Sequence, residues 1–208
     1  MKAILMSIRP QHLVDILNGK KTIELRKRFP KDFRGWVYMY ATKARPRLYR
    51  LPTDNKKEWY LEDNLPNGWV VYGGEFNSKV VARFWVDNVE EIVLEYILEN
   101  EQYEIVFENH TTKETEDKLK SMCLTLVDFI YYHYKSLKSK KDGFVMSKAI
   151  HISKLETFDK PKRLVEFHYY KKRLIDCGMD CPPYFDEVKT QVRKAPQSWQ
   201  YIYIEEEK

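Results

Sequence analysis

Two short stretches hold the residues best suited to chemistry. Lys21-Thr22-Ile23-Glu24-Leu25-Arg26-Lys27-Arg28 follows Gly19 and alternates apolar with polar or charged residues. As a strand, it sets Ile23 and Leu25 on one face and Thr22, Glu24, Arg26 and Arg28 on the other. A desolvated lysine beside a carboxylate is an acid–base pair, and guanidinium groups pair with phosphate or stack on bases. The second stretch is Gln197-Ser198-Trp199, whose amide, hydroxyl and indole suit a base edge or a base face. Arg9, Tyr40 and Lys43 add two cations and a ring, and a stacking ring contributes roughly 1 to 3 kcal/mol per base. The candidate binding set is therefore Arg9, Lys21, Arg26, Arg28, Tyr40, Lys43, Gln197, Ser198 and Trp199. Lys21 and Glu24 form the candidate catalytic pair.

Other chemistries find little support. Gly73-Gly74 is too short for a phosphate loop, and no Gly-x-x-x-x-Gly-Lys-Ser/Thr occurs. His168, Cys177 and Cys181 are a loose set whose fourth ligand would have to be distant, so neither metal nor cofactor is expected. His110 and His133 have no partner at ligand spacing.

The three cysteines describe no disulfide framework, and the start of the chain enters a strand-like run, not a signal peptide. No apolar run approaches the roughly 18 to 20 residues of a membrane span. A cytoplasmic protein without a membrane partner is expected. The 36 Lys and Arg against 31 Asp and Glu give a formal charge of +5, which permits a polyanionic partner without requiring one. Aromatic residues make up 14% of the 208 residues, so some rings are expected to be exposed or to line a cleft.

The elements that must position these residues follow from periodicity. Residues 2–8 predict a buried strand, and Pro10 then opens a helix that runs to Asn18 and stops at Gly19. Trp36 to Thr42 alternates as a strand, with Val37, Met39 and Ala41 opposite Trp36, Tyr38 and Tyr40. Residues 43–68 carry Arg45, Arg47 and Arg50 among prolines and predict a basic excursion outside the core. Trp69 to Tyr72 and Lys79 to Val89 predict strands. Glu114 to Lys138 predicts one helix whose apolar stripe includes Leu126, Val127 and Ile130, with a basic end at Lys135 to Lys141. Ala149 to Thr157 predicts a strand, Pro161 to Asp176 a helix, and Ser198 to Ile204 a closing strand.

The segment Ile4-Leu5-Met6-Ser7-Ile8-Arg9-Pro10, followed by Ile16-Leu17-Asn18-Gly19-Lys20-Lys21-Thr22 and its charged strand, resembles the opening of an ASCH domain of the PUA-like superfamily. Tyr38 to Thr42 and Lys79 to Asp87 fit the family's next strands. Ala149-Ile150-His151-Ile152 and Ala195 to Trp199 resemble late segments of a longer, phage- or prophage-associated branch. The resemblance leaves residues 43–68 and 90–145 as insertions within one domain spanning 1–208.

It implies an α+β fold, a PUA-like β-barrel or pseudo-barrel with flanking helices and a helical insertion. Its cleft would lie beside the first helix and the Gly-x-Lys-Thr turn. It further implies an RNA-binding or nucleotide-binding module, regulatory or accessory, with RNA or a nucleotide-like ligand as partner and no obligate protein partner. Some small ASCH proteins hydrolyse acylated nucleosides with a lysine in this turn and a threonine three residues later. Here Lys21 matches the lysine, but Glu24 stands where the threonine would. The alternative is thus a hydrolase of a modified nucleoside, or of RNA, acting through Lys21 and Glu24. A third alternative is a partner docked on the helix at 114–138, although burial explains its stripe more simply.

Overall fold

The computed structural model describes residues 1–52, 57–67, 75–97, 102–107, 112–138, 144–175 and 184–204. Its strands are β1 Lys2–Ile8, β2 Ile23–Arg26, β3 Gly35–Ala41, β4 Leu48–Pro52, β5 Lys57–Leu61, β6 Val80–Ile97, β7 Gln102–Phe107, β8 Phe144–Lys162, β9 His168–Ile175, β10 Tyr184–Gln191 and β11 Trp199–Tyr203. The helices are α1 Pro10–Leu17, α2 Thr112–Ser121 and α3 Leu126–Lys138. This is an α+β fold, mostly strand, as the sequence predicts. The described chain packs as two compact units: residues 1–14, 35–84 and 156–208, and residues 15–34 and 85–155.

In the first unit β1 is the organising strand. It pairs parallel with β3, Ile4 opposite Val37 through Ile8 opposite Ala41, and antiparallel with β11. Ala3 to Ile8 are all buried, as a strand covered on both faces requires, and all but Ser7 are apolar. Ala3, Leu5, Tyr38, Tyr40, Val80, Phe167, Val192 and Ile202 form one core cluster. β11 continues to β9 and β10.

The excursion at 43–68 is not outside the core. β4 and β5 form an antiparallel hairpin that buries Leu48, Leu51 and Trp59. Buried Asn77 holds it, accepting from the Leu48 N–H at 2.8 Å and donating Nδ2 to the Ala44 carbonyl at 2.8 Å. Arg50 is structural as well: it lies over the rings of Trp59 and Phe76 and donates to the carbonyls of Phe158 and Asp159. The helix predicted from Pro161 is also absent. Pro161 lies within the end of β8, and residues His168 to Ile175 form β9, paired along their length with β10. Here strand pairing outweighs the helix-start signal of the proline. Trp69 to Tyr72, Gly73-Gly74, Cys177 and Cys181 lie outside the described residues.

In the second unit β2 pairs antiparallel with β8, and β7 with β6. Ile23, Leu25, Ile92, Leu94, Leu119, Met122, Phe129, Val145 and Ala149 form its core. The single helix expected over 114–138 is two. α2 ends in a Schellman motif, with the Leu124 N–H donating to the Leu119 carbonyl and the Cys123 N–H to that of Lys120. Cys123 takes the left-handed position, φ +52°. α3 restarts with Thr125, whose Oγ1 and N–H donate to Asp128 while the Asp128 N–H donates back to Thr125 Oγ1. Those two donors hold the Asp128 carboxyl below its usual range. The break shifts the phase of the helix. Phe129 and His133 therefore point inward, and Val127, expected in the apolar stripe, is 73% exposed.

A non-glycine residue at positive φ costs about 1–2 kcal/mol, against roughly 0.5–1 kcal/mol for the extra chain entropy of glycine. Cys123→Gly should therefore raise stability by about 0.5–1 kcal/mol, read from the urea midpoint.

His133 is 1% exposed, shares a 3.0 Å hydrogen bond with Ser147 Oγ, and is pushed down to about 4 by burial and by the charge of Lys27. Because the unfolded imidazole has a pKa near 6.5, the unfolded chain binds more protons below that pH, and stability falls as pH falls through it toward 4. Between pH 7.5 and 5 the loss should be about 2 kcal/mol. In His133→Gln, whose amide can still bond Ser147, that component should vanish from the pH dependence of unfolding.

Candidate nucleotide-binding site

The site in the second unit begins with the end of α1. Gly19, at φ +73°, occupies the left-handed position of a second Schellman motif, in which the Gly19 N–H donates to the Ile16 carbonyl and the Lys20 N–H to that of Asp15. The Lys21 N–H also donates to the Asp15 carbonyl, at 3.0 Å. Thr22 is then pinned on both sides: its N–H donates to the Ser121 carbonyl, and its own carbonyl accepts from the Ile152 N–H. These bonds start β2 in register with β8, Glu24 opposite Ile150 and Arg26 opposite Lys148.

On the polar face of β2, Thr22 and Arg28 are exposed while Glu24 is buried and Arg26 is mostly covered. Glu24 is 4% and Lys21 5% exposed. Lys21 Nζ stands 2.9 Å from one Glu24 oxygen and Arg26 Nη2 stands 2.9 Å from the other. A buried carboxylate is tolerated only when contacts replace its hydration, and two cations supply them here. Beside this cluster, Tyr132 of α3 has its hydroxyl bonded by the Lys27 backbone. Burial raises the hydroxyl's pKa, with Arg26 opposing and Glu24 adding to the shift. Lys27 Nζ lies over the same ring, 5.1 Å from its centroid, and the residue remains 40% exposed. The sequence reading missed Tyr132; its signal was a tyrosine two helical turns removed from the Thr125-x-x-Asp128 cap, legible only once the helix break is known. Arg28, the last cation of this stretch, is exposed.

The remaining candidates belong to the first unit. Because β1 and β3 run parallel and β11 antiparallel to β1, the residues after β1, those after β3 and those before β11 reach the same end of that sheet. Arg9, Lys43 and Gln197 stand there, exposed. The Thr42 N–H donates to the Ile8 carbonyl at 3.0 Å. Ser198 offers its carbonyl to the Ser7 N–H at 2.9 Å, and Ser7 Oγ donates to the Pro196 carbonyl at 2.7 Å. Trp199, opposite Met6, meets Tyr201 edge-on. Tyr40 is a core ring, buried with Leu5 and Ile202, not an open platform.

A separate concavity of about 450 Å³ in the second unit is lined by Thr22, Asp87, Glu114, Asp117, Lys118 and His151, among others. Glu90 draws in Lys118 and His151 there. Its three lining carboxylates repel phosphate, so it is not the cleft that a nucleotide would choose. Among the described residues no three His, Cys, Asp or Glu side chains gather as a metal site. No helix among them is long and apolar enough to cross a membrane.

No family model and no curated protein matches the chain. Among solved structures, ASCH from Zymomonas mobilis is similar at 12% identity, over 78% of this chain and 73% of its own, with a TM-score of 0.43. A serine-to-alanine variant of that protein is similar at 12% identity over 96% of this chain and 87% of its own, with a TM-score of 0.46. For a tyrosine-to-phenylalanine variant the values are 12% identity, 79%, 77% and 0.42.

Removing one member of a buried ion pair strands its partners, which typically costs about 3–5 kcal/mol. Glu24→Ala, which leaves Lys21 and Arg26 facing each other, should lower stability by about 3 kcal/mol or more in urea denaturation. The double substitution Lys21→Met with Glu24→Met should recover a large part of that loss.

Proposed function

We propose that the chain is a PUA-like module that binds a nucleotide-like ligand, in the first instance one nucleotide of single-stranded RNA, at β2 and the adjoining face of α3. The carrying observation is the juxtaposition of Arg26 and Lys27 with the accessible ring of Tyr132. A guanidinium beside a ring is suited to a phosphate and its base, and the ring supplies a sequence-tolerant stacking surface. Glu24 serves as the positioning residue: its contact with Arg26 fixes the guanidinium before the ligand arrives, which lowers the entropic cost of binding.

The 2.9 Å contact of buried Lys21 with Glu24 favours a second reading, a hydrolase that passes a proton between these groups. The two readings separate experimentally. Short labelled single-stranded RNA and DNA would be titrated at two salt concentrations, and the RNA recovered and checked for cleavage or base change. The binding module requires salt-sensitive binding with intact RNA. Arg26→Ala should then weaken binding about tenfold, equivalent to about 1.4 kcal/mol. Tyr132→Ala should weaken it by about 1 kcal/mol or more. Turnover abolished by Lys21→Ala would establish the hydrolase instead, and absence of binding at low salt would remove the nucleic-acid reading.

A further inference from the structure

In the second unit, α3 buries one side and leaves the other uncovered. Phe129 and His133 are buried, and Ile130 packs on the same core as Phe129. The opposite side carries Val127, Tyr131 and Tyr134, four and three residues apart, which is the spacing of one helical stripe. They are 73%, 82% and 43% exposed, and Leu126, next to Val127 in sequence, is 45% exposed. With Tyr132 this makes five of the twelve exposed large hydrophobic residues among the described ones, all on one helix. Burial therefore accounts for half of α3 only. Scattered exposed rings are ordinary, but a contiguous stripe marks a surface that meets a ligand or a partner.

Size and charge narrow what that is. A fully buried aromatic side chain covers roughly 150–250 Å², so at these exposures the stripe presents on the order of 300–400 Å². A stable protein interface takes about 800 Å² from each partner, so the stripe alone would hold neither a second copy nor another protein. Its surroundings are cationic. Asp128 has its carboxylate engaged by the Thr125 hydroxyl and N–H, and in sequence α3 has no acidic residue after it and closes with Lys135 and Lys138. Lys27 Nζ lies over the Tyr132 ring and brings the basic run Arg26-Lys27-Arg28 against the helix. The carboxylate of that run's strand, Glu24, is buried between Lys21 and Arg26. Open rings among cations suit bases and phosphates.

We propose that the stripe of Val127, Tyr131 and Tyr134 stacks further bases of a single-stranded nucleic acid whose first nucleotide sits at Arg26, Lys27 and Tyr132. This rests on the function proposed above and makes its ligand a single strand of at least three nucleotides. At 1.5 Å rise per residue, Tyr131 and Tyr134 are about 4.5 Å apart along the helix axis. That is close to the roughly 3.4 Å between successive bases of one strand, so two neighbouring bases can meet two rings. Tyr132 lies about 100° round the helix from Tyr131, so the strand must bend around α3. A flexible single strand with unstacked bases can do so, whereas a duplex keeps its base faces inside. Because every base offers a π-face, the stripe gives affinity with little sequence preference.

The test uses the full chain with uridine monophosphate, a labelled five-nucleotide single-stranded RNA, a 20-base-pair RNA duplex, and vesicles containing phosphatidylserine. The pentanucleotide should bind at least about tenfold tighter than the monophosphate, and tighter than the duplex. Tyr131→Ala with Tyr134→Ala should weaken pentanucleotide binding at least about tenfold. It should leave the monophosphate affinity and the salt slope unchanged, because the contacts removed are not phosphate contacts. Tyr131→Phe with Tyr134→Phe, which keeps the rings, should bind as the parent does. Arg26→Ala should weaken both single-stranded probes. Equal affinity for the two lengths, or parental pentanucleotide affinity in the alanine variant, would overturn the stripe while the single-nucleotide site stands. Pentanucleotide binding that needs Tyr131 and Tyr134 but not Arg26 or Tyr132 would keep the stripe and remove the nucleotide site, and no binding of either probe would remove both. Vesicle binding or dimer formation that needs Tyr131 and Tyr134, without pentanucleotide binding, would overturn the stripe in favour of a membrane or a second copy.

Discussion

A carboxylate held at 4% exposure must be compensated where it stands, because burial removes hydration that is worth several kcal/mol per ion. Glu24 meets this constraint with Lys21 on one oxygen and Arg26 on the other. The constraint fixes more than the two ion pairs. Lys21 must emerge from α1 at a defined point, so the helix ends sharply at Gly19. Arg26 must lie two residues beyond Glu24 on the same face, so β2 must be extended there. Thr22, bonded on one side to Ser121 and on the other to Ile152, holds the strand in the register that brings these side chains together. A buried charge network of this kind adds little net stability compared with apolar residues, but it orients a guanidinium.

Both helices that flank this region stop by the same device. In each a residue with left-handed backbone closes a Schellman motif, Gly19 after α1 and Cys123 after α2. The glycine adopts that geometry without steric cost, and the cysteine does so under strain. Leu124, just past Cys123, packs against the core that contains Leu119, which is the hydrophobic contact that usually accompanies the motif. The reversal after α2 sets the phase of α3. Because of that phase, His133 is buried against Ser147 while Tyr132, one residue earlier, stays at the surface beside Lys27.

Besides the cations held by Glu24, the described basic residues include two contrasting kinds. Arg50 and Arg83 are absorbed within the first unit: Arg50 by the rings of Trp59 and Phe76 and the carbonyls of Phe158 and Asp159, Arg83 by the rings of Trp36 and Tyr38, the Tyr38 hydroxyl and the Glu156 carboxylate. Lys171, Lys172 and Arg173 stand on a ribbon open on both faces, and Arg9 and Lys43 on an exposed rim. In sequence these arginines and lysines look alike. The distinction comes from whether aromatic rings and backbone carbonyls from distant segments close around the guanidinium.

β1, α1, β3 and β11 were closely legible from local signals: a largely apolar run, a proline start with a glycine stop, or alternation. Alternation along β2 put Glu24 and Arg26 on one face, but Lys21, three residues before Glu24 and outside the strand, was brought to the carboxylate only by the turn after α1. Contacts between distant segments bury Glu24, bring Tyr132 beside it and place Tyr40 in the core. The break at Cys123 has no glycine to announce it, so the periodicity of 114–138 ran on as one helix and misplaced Leu126 and Val127, which are exposed, while Ile130 does pack on the core. The stretch after Pro161 carried a helix-start signal that pairing with β10 overrode. Hydrogen bonds to a partner strand and burial by remote residues depend on contacts between segments far apart in the chain, and no local pattern encodes which of two competing local preferences those contacts will reward.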